Sequence, residues 1–147
     1  MITIGLAGPA DSNKILNLYN TCRYSGGILP TDAIVIAKED RQVIGAVRLC
    51  VENDINMLRG MQILPAMQRQ RIGSQMLYFC LPLMQRQTTY CLPYSHLTHF
   101  YSQIGFQLAD ETTLPAFIQT RLLNYRTDAI DMVPMVRVPK LRTLNTA

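Results

Sequence analysis

The hydrophobic pattern changes period several times along the chain, and each change marks a new element. Alternating or short apolar runs predict strands at residues 2–7, 33–38, 43–52, 56–64, 88–92, 106–109 and 130–138. Apolar residues at helical spacing predict four helices, which begin near Ser12, Ile72, Ser95 and Pro115. The predicted order is therefore β-α-β-β-β-α-β-α-β-α-β.

Glycine and proline residues sharpen these boundaries. Gly60 interrupts the strand at 56–64, where it predicts either a β-bulge or the close approach of a bulky neighbour. Pro82 lies where the helix that begins at Ile72 should continue, so this helix is expected to kink or end nearby. Gly105 is placed to end the third helix in a left-handed conformation.

This order predicts an α+β fold, in which helices flank a mixed, mainly antiparallel central sheet. The length suits a single domain, which we place at residues 1–138. Residues 139–147 are polar and are expected to form a flexible tail. Open sheets leave edge strands exposed, and a homodimer can form through such an edge.

Composition narrows the class of protein. The chain is 48% apolar, which argues for a packed core, and no apolar run approaches the ~20 residues of a membrane span. Its first residues lack the pattern of a signal peptide, so we expect a cytoplasmic protein with no membrane partner. The net charge of +4 suits an anionic cofactor, but the basic residues are too scattered to predict a nucleic-acid surface.

The cysteines are expected to be buried free thiols. Cys22, Cys50, Cys80 and Cys91 lie in apolar surroundings and form no CxxC pair. No metal site is expected, because neither histidine lies at ligand spacing from a cysteine.

Residues 61–74, MQILPAMQRQRIGS, resemble a motif of the GCN5-related N-acetyltransferase (GNAT) superfamily. They are similar to that family's strand, turn, pyrophosphate loop and helix, in which the loop reads Arg/Gln-x-x-Gly-x-Gly/Ala. Gln68 matches the first position of the loop and Gly73 the last. Arg71 replaces the middle glycine.

A second segment, residues 99–106, resembles the same family's short helix and following strand, with its Tyr-x-x-x-Gly-Phe core. Tyr101, Gly105 and Phe106 match that core in place. The asparagine and alanine that usually precede it are Tyr94 and Leu97 in this chain.

The resemblance implies a GNAT-like acyl-CoA N-acyltransferase fold. It implies transfer of an acetyl group from acetyl-CoA to an amine of an unidentified small molecule or protein, by direct attack in a ternary complex. The implied cofactor-binding residues are Ile63, Leu64, Gln68, Arg69, Gln70, Arg71, Ile72, Gly73, Ser74 and Tyr94. A non-catalytic CoA-binding regulatory module is the alternative, because Arg71 replaces a glycine and Met57 occupies the family's strand-glutamate position.

The chemistry of the loop supports an anion site. A loop that opens a helix presents unpaired N–H groups and the positive end of the helix dipole, and both suit a pyrophosphate. Arg69 and Arg71 add charge, although a solvated polar turn is the plainer interpretation. Arg71 is expected either to take an ordinary helical conformation and contact phosphate, or to weaken cofactor binding.

Acyl transfer from a thioester needs a neutral amine, and a lysine-like amine has a pKa of about 10.4. The resemblance makes Tyr101 the acid that protonates the leaving thiolate; its alternative role is that of a core tyrosine. Glu52 or His96, acting through water, is the candidate base. The candidates to meet a cationic acceptor are Tyr24, Asp32, Asp110 and Glu111.

Overall fold

The computed structural model describes residues 1–140, which belong to two compact units, Met1–Cys80 and the part of the chain that begins at Leu81. The described strands are β1 (Ile2–Leu6), β2 (Ala33–Glu39), β3 (Gln42–Glu52), β4 (Ile55–Ile63), β5 (Thr89–Cys91), β6 (Gln107–Leu108) and β7 (Met135–Arg137). The described α-helices are α1 (Ser12–Thr21), α2 (Ile72–Met84), α3 (Thr98–Ser102) and α4 (Ala116–Thr127). Their order is the one predicted from the hydrophobic pattern.

The first unit is built on an antiparallel meander. β1 pairs with β2, β2 with β3, and β3 with β4. Polar two-residue turns connect the last three strands, and in the second turn both Asn53 and Asp54 have positive φ angles. Asparagine and aspartate tolerate this conformation, which matches the twist of a hairpin. The turns therefore set the register of the sheet.

Helix α1 packs its apolar face on this sheet. Ile15, Leu18 and Tyr19 form a buried cluster with Ile36, Val43 and Ala46. Met76 of α2 lies near the backbone of β3, because a Cβ added to Gly45 would be 3.0 Å from its sulfur. Helices on both faces explain why β3 is buried without interruption from Val43 to Arg48.

Gly60 lies at a β-bulge in β4. The β3–β4 register shifts between Ala46 and Arg48, and Gly60 has a φ of +69°. A Cβ at this position would lie 3.0 Å from the hydroxyls of Tyr19 and Tyr24. Both expectations for Gly60, a bulge and a close approach, are confirmed.

In the second unit, β7 pairs antiparallel with both β5 and β6. Gly105 has a φ of +96° just after α3, as predicted for a residue that ends a helix. The guanidinium of Arg137 donates to the carbonyls of Ile104 (2.8 Å) and Met84 (3.4 Å), and so satisfies acceptors at the ends of α3 and α2.

Helix α2 contains Pro82 and ends two residues later at Met84, as expected of a helix that ends near this proline. One strand boundary differs from the prediction. The last strand is shorter than 130–138, because Pro134 has no N–H to donate; only Met132 makes an isolated bridge before β7 begins. Of the expected tail, Pro139 and Lys140 lie outside helices and strands, and 141–147 lie outside the described residues.

No helix within residues 1–140 is long and apolar enough to span a membrane. The expectation of one domain over residues 1–138 stays a prediction.

Candidate functional site

The segment between β4 and α2 is a tight loop that leaves backbone donors available. A 3₁₀ turn, Pro65–Met67, follows β4, and α2 begins at Ile72. Within residues 1–140, no backbone carbonyl accepts from the N–H groups of residues 69–74; the first helical bond runs from Gln75 N to Arg71 O (3.1 Å). Six consecutive N–H groups are therefore available to an anion at the positive end of α2.

Two arginines of this loop have left-handed backbone conformations. Arg69 has a φ of +66° and Arg71 a φ of +61°. The expectation that Arg71 could take an ordinary helical conformation is wrong, because the loop turns there before α2 begins. The middle position of the motif therefore has the backbone geometry that glycine adopts most easily.

The end of β4 is held by side chains. Gln68 Nε2 donates to the carbonyl of Ile63 (3.1 Å), and Cys22 Sγ lies 3.9 Å from the same oxygen. Leu64 N donates to Ile44 O (2.9 Å), so the neighbouring pair Ile63–Gly45 is of the non-hydrogen-bonded kind. The N–H of Ile63 therefore points away from β3.

In the second unit, Tyr101 lies in α3 and is 7% exposed. Its ring makes edge-on contacts with Phe100 (5.0 Å between centroids) and Phe106 (6.2 Å). Aromatic packing therefore fixes the ring, and the core role considered for this tyrosine agrees with its burial. Its role as an acid stays a prediction.

Tyr94 and His96 lie together on the surface of the second unit. Tyr94, which is 48% exposed, precedes the 3₁₀ turn Ser95–Leu97, and its ring stacks on that of His96 at 5.7 Å. Ser95 Oγ donates to the carboxylate of Asp131 and so secures the start of this turn. The imidazole of His96 is exposed to solvent.

Glu52 lies at the end of β3, where its Oε1 accepts from Arg59 Nη1 at 2.9 Å. Met57, at the position where the family carries a glutamate, is buried in β4. The Arg59 ion pair therefore holds the Glu52 carboxylate on this strand face. Within residues 1–140, no group of three or more His, Cys, Asp or Glu side chains could hold a metal ion.

A buried arginine, which the sequence analysis did not identify, organises the other end of the same strand face. Arg48 Nη1 donates to Gly27 O (2.6 Å) and Asp32 Oδ2 (2.8 Å), and its Nη2 donates to the Tyr24 hydroxyl (2.6 Å). Cys50 Sγ lies 3.6 Å from Nη1. We call these five residues the Arg48 cluster. The one signal for this cluster in the sequence was Arg48 itself, a charged residue in the middle of an apolar strand.

The ion pair in this cluster is fully buried, with side chains that are 1% (Arg48) and 0% (Asp32) exposed. Asp32 was a candidate to meet a cationic acceptor, but here it is paired with Arg48 and also accepts from Leu29 N (2.9 Å). Within the described part of the chain, Asp32 Oδ1 and Arg48 Nε are buried without a hydrogen-bond partner.

Burial lowers the pKa of Arg48, but the hydrogen bonds to Tyr24 and Asp32 raise its pKa by more, so the guanidinium stays charged. Burial also raises the pKa of Cys50 to about 12, which keeps this thiol protonated. The phenol of Tyr19 donates to Gly60 O at 2.9 Å, and burial raises its pKa above the ordinary value. The cluster thus contains one fixed cation, which is paired with the carboxylate of Asp32.

Comparison with known proteins identifies the family. The family described as "Acetyltransferase (GNAT) domain" matches residues 30–108, which include β2 to β6 and the loop before α2. No curated protein sequence matches this chain.

Solved structures share the fold. N-acetylglutamate synthase from Neisseria gonorrhoeae, complexed with coenzyme A and N-acetyl-glutamate, has a TM-score of 0.66 at 20% identity, over 93% of this chain and 35% of its own. Rv2747 from Mycobacterium tuberculosis, in complex with CoA and NLQ, has a TM-score of 0.69 at 19% identity, over 92% of this chain and 98% of its own. A GNAT-family acetyltransferase from Streptococcus pneumoniae has a TM-score of 0.70 at 13% identity, over 95% and 99% of the two chains.

This chain thus spans about a third of the N-acetylglutamate synthase and nearly all of the other two proteins. The GNAT-like α+β fold class predicted from the sequence is confirmed by these likenesses. The family match covers more than half of the chain and includes the loop that carries the first motif. The chain therefore belongs to the GNAT acetyltransferase family.

Proposed function

We propose that this protein is an N-acyltransferase that transfers an acetyl group from acetyl-CoA to an amine. One observation carries the proposal: six backbone N–H groups without a backbone acceptor at the start of α2, inside the segment that matches the family. Similar structures contain coenzyme A or CoA, which supports the same co-substrate for this chain. We place the reaction in the cytoplasm, as the composition predicts.

The loop suits the pyrophosphate of a CoA-type molecule. The N–H groups of residues 69–74 provide neutral donors, and the helix dipole favours an anion there. The exposed side chains of Arg69 and Arg71 add positive charge. The loop, the dipole and the arginines therefore all favour a diphosphate.

The N–H of Ile63 has a separate role in this proposal. Because it points away from β3, it can donate to the thioester oxygen as negative charge develops there. Leu64 cannot share this role with its own N–H, which is bonded to Ile44 O. Leu64 would contribute only packing.

The reaction balances with two proton transfers. The amine nitrogen attacks the thioester carbon, an N–C bond forms and the C–S bond breaks. We assign Tyr101 to donate a proton to the departing thiolate, and Glu52 or His96 to accept the amine's proton through water. Glu52 is paired with Arg59, whereas the side chain of His96 is exposed to solvent.

A Tyr101→Phe substitution tests the assigned acid. We expect the rate of thiol release from acetyl-CoA to fall by about 10²- to 10⁴-fold, the range of general acid–base catalysis. The phenyl ring keeps the contacts with Phe100 and Phe106. Tyr90→Phe, at a half-buried tyrosine of the same unit, is the control and should leave the rate unchanged.

A non-catalytic CoA-binding module remains the second candidate, since Met57 leaves the strand-glutamate position without a carboxylate. A screen of primary amines, read as thiol release, decides between the two. A protein that acetyl-CoA stabilises against heat, but that acetylates no amine, would be the regulatory module.

A further inference from the structure

The hydrogen bonding of the Arg48–Asp32 ion pair is incomplete, because each partner leaves one buried polar atom without a hydrogen bond. Asp32 bonds to Arg48 through Oδ2 alone, while its Oδ1 has no partner among the described residues. Arg48 Nε is also buried without an acceptor in that part of the chain. Buried ion pairs are stable only when their remaining donors and acceptors are satisfied. This pair is therefore well suited to exchange one carboxylate for another.

The carboxylate that occupies Arg48 belongs to a loop and not to the sheet. Tyr24, Gly27 and Asp32 all lie in the connection between α1 and β2, and each contacts the same guanidinium. Tyr24 N also donates to Tyr19 O, and Ile28 packs against the buried cluster of α1 and the sheet, but the three contacts with β3 converge on one side chain. Movement of the loop would expose a single fixed cation.

The geometry of Arg48 favours a planar anion. The Nε and Nη2 edge of a guanidinium binds both oxygens of a carboxylate at once, and Nε is the unpaired donor here. A Cβ on Gly60 would lie 3.1 Å from this Nε and 3.0 Å from the hydroxyls of Tyr19 and Tyr24, so the glycine lets the guanidinium and both phenols pack against the backbone of β4.

The cluster also lies beside β4, the strand that leads to the proposed reaction centre. Gly60 and Ile63 are three residues apart in β4, which corresponds to about 10 Å of extended chain. A small molecule can span this distance. An anionic end at Arg48 and an amine near Ile63 can therefore belong to one acceptor.

We infer that the acceptor amine carries a carboxylate, that Arg48 binds it, and that Asp32 is the carboxylate paired with Arg48 in the free protein. This inference rests on the proposed acetyl transfer and names its substrate class: small amino acids and related amino carboxylates. One monoanion suffices, because the cluster contains one cation once Asp32 has moved away. Tyr24 would keep its hydrogen bond or follow the loop.

The test uses pairs of primary amines that share a carbon skeleton and differ only in a carboxylate or a carboxamide. With the wild-type protein, we expect kcat/KM for thiol release to be at least tenfold higher for the carboxylate of each pair. Equal values for the two members would overturn the inference and leave the proposed acetyl transfer intact. This comparison needs no variant.

Two variants assign the preference to the cluster. Asp32→Asn removes the competing carboxylate and should lower KM severalfold for carboxylate acceptors only. Arg48→Gln with Asp32→Asn, which leaves no unpaired charge, should abolish the preference while acetyl-CoA still raises the melting temperature. Arg126→Gln with Glu111→Gln, at an exposed ion pair, is the matched control and should change neither value. An unchanged preference in the Arg48 variant would contradict the inference.

A binding measurement tests the carboxylate site even if the proposed acetyl transfer is wrong. If no amine is acetylated, heating the protein with each amino carboxylate alone still tests the site. A higher melting temperature in the wild type, lost in the Arg48→Gln and Asp32→Asn variant, supports carboxylate binding. No shift with any carboxylate overturns it.

Discussion

Arg69 and Arg71 have backbone conformations that an arginine avoids, and they do so in the loop that we assign to pyrophosphate. Both φ angles lie in the left-handed region, which costs a non-glycine residue about 1–2 kcal/mol. The turn between the 3₁₀ segment and α2 imposes this geometry. The arginines thus place positive charge next to the free N–H groups, but their backbone conformations are strained.

Arg71→Gly tests whether the backbone strain at this position lowers the stability of the protein. We expect the free energy of unfolding to rise by about 0.5–1 kcal/mol, because glycine adopts a φ of +61° without strain but loses more entropy on folding. Urea denaturation measures this change. Arg71→Ala is the control, since it removes the same charge but keeps the Cβ.

A gain in stability with alanine equal to that with glycine would show that charge, and not backbone strain, sets the cost. If the guanidinium contacts phosphate, both variants should also bind acetyl-CoA more weakly, and the loss should shrink as salt is added.

At the scale of elements, the bulge in β4 connects the sheet with the Arg48 cluster. Gly60 accepts a hydrogen bond from the Tyr19 hydroxyl, and its missing side chain lets Arg48 and Tyr24 lie close to the strand. Helix α1, the loop after it, and strands β3 and β4 therefore meet at one position. A single methyl group there should disturb all four.

Gly60→Ala should lower the free energy of unfolding by about 2–4 kcal/mol, because a left-handed alanine and an overpacked neighbourhood both cost energy. The added Cβ would lie 3.0–3.1 Å from three polar atoms. Urea denaturation measures the loss. Gly27→Ala is the control, because a Cβ there meets nothing within 4 Å. A loss similar to that of the control would mean that the strand relaxes freely around the bulge.

Gly60 and Gly105 could be interpreted from the sequence because the conformational freedom of glycine is a local property. The end of α2 near Pro82 was also predicted, whereas the length of β7 depended on where Pro134 meets its neighbours, so that boundary was less accurate. The position of the polar loop before α2 was predicted correctly, but the backbone conformation of Arg71 was not. The geometry of the turn decides that conformation and overrides the residue's own preference.

At the scale of the molecule, a carboxylate connects the start of α1 with the sheet of the first unit. Asp11 accepts from Gly8 N (2.8 Å) and forms an ion pair with Lys38 of β2 (2.7 Å). The hydrogen bond from Lys38 lowers the pKa of Asp11 below its ordinary value of 3.8, and the bond from Gly8 lowers it further.

This lowered pKa predicts an acid-sensitive contribution to stability. A carboxyl group with a lower pKa in the folded state stabilises the protein above its unfolded pKa, and this stabilisation is lost as the pH falls through the folded value. The stability difference between wild type and Asp11→Asn should therefore be fully present at neutral pH, shrink as the pH falls below the ordinary value of 3.8, and vanish only below the lower pKa of the folded state. Thermal unfolding from pH 7 to pH 3 measures it.

Asp128→Asn, at an exposed aspartate after α4, is the control and should not reproduce this dependence. A difference between wild type and Asp11→Asn that stays constant across the whole pH range would mean that the contact with Lys38 contributes nothing through charge.

The sequence by itself determined the order of the elements, the α+β class and the loop that carries the family's motif, because these depend on hydrophobic period and on residues close together in the chain. Only the tertiary structure decided the Arg48 cluster. Its contacts join residues 16 to 24 positions apart. A charged side chain is buried in the middle of a strand only when a distant loop brings it a carboxylate, and no local pattern records that event.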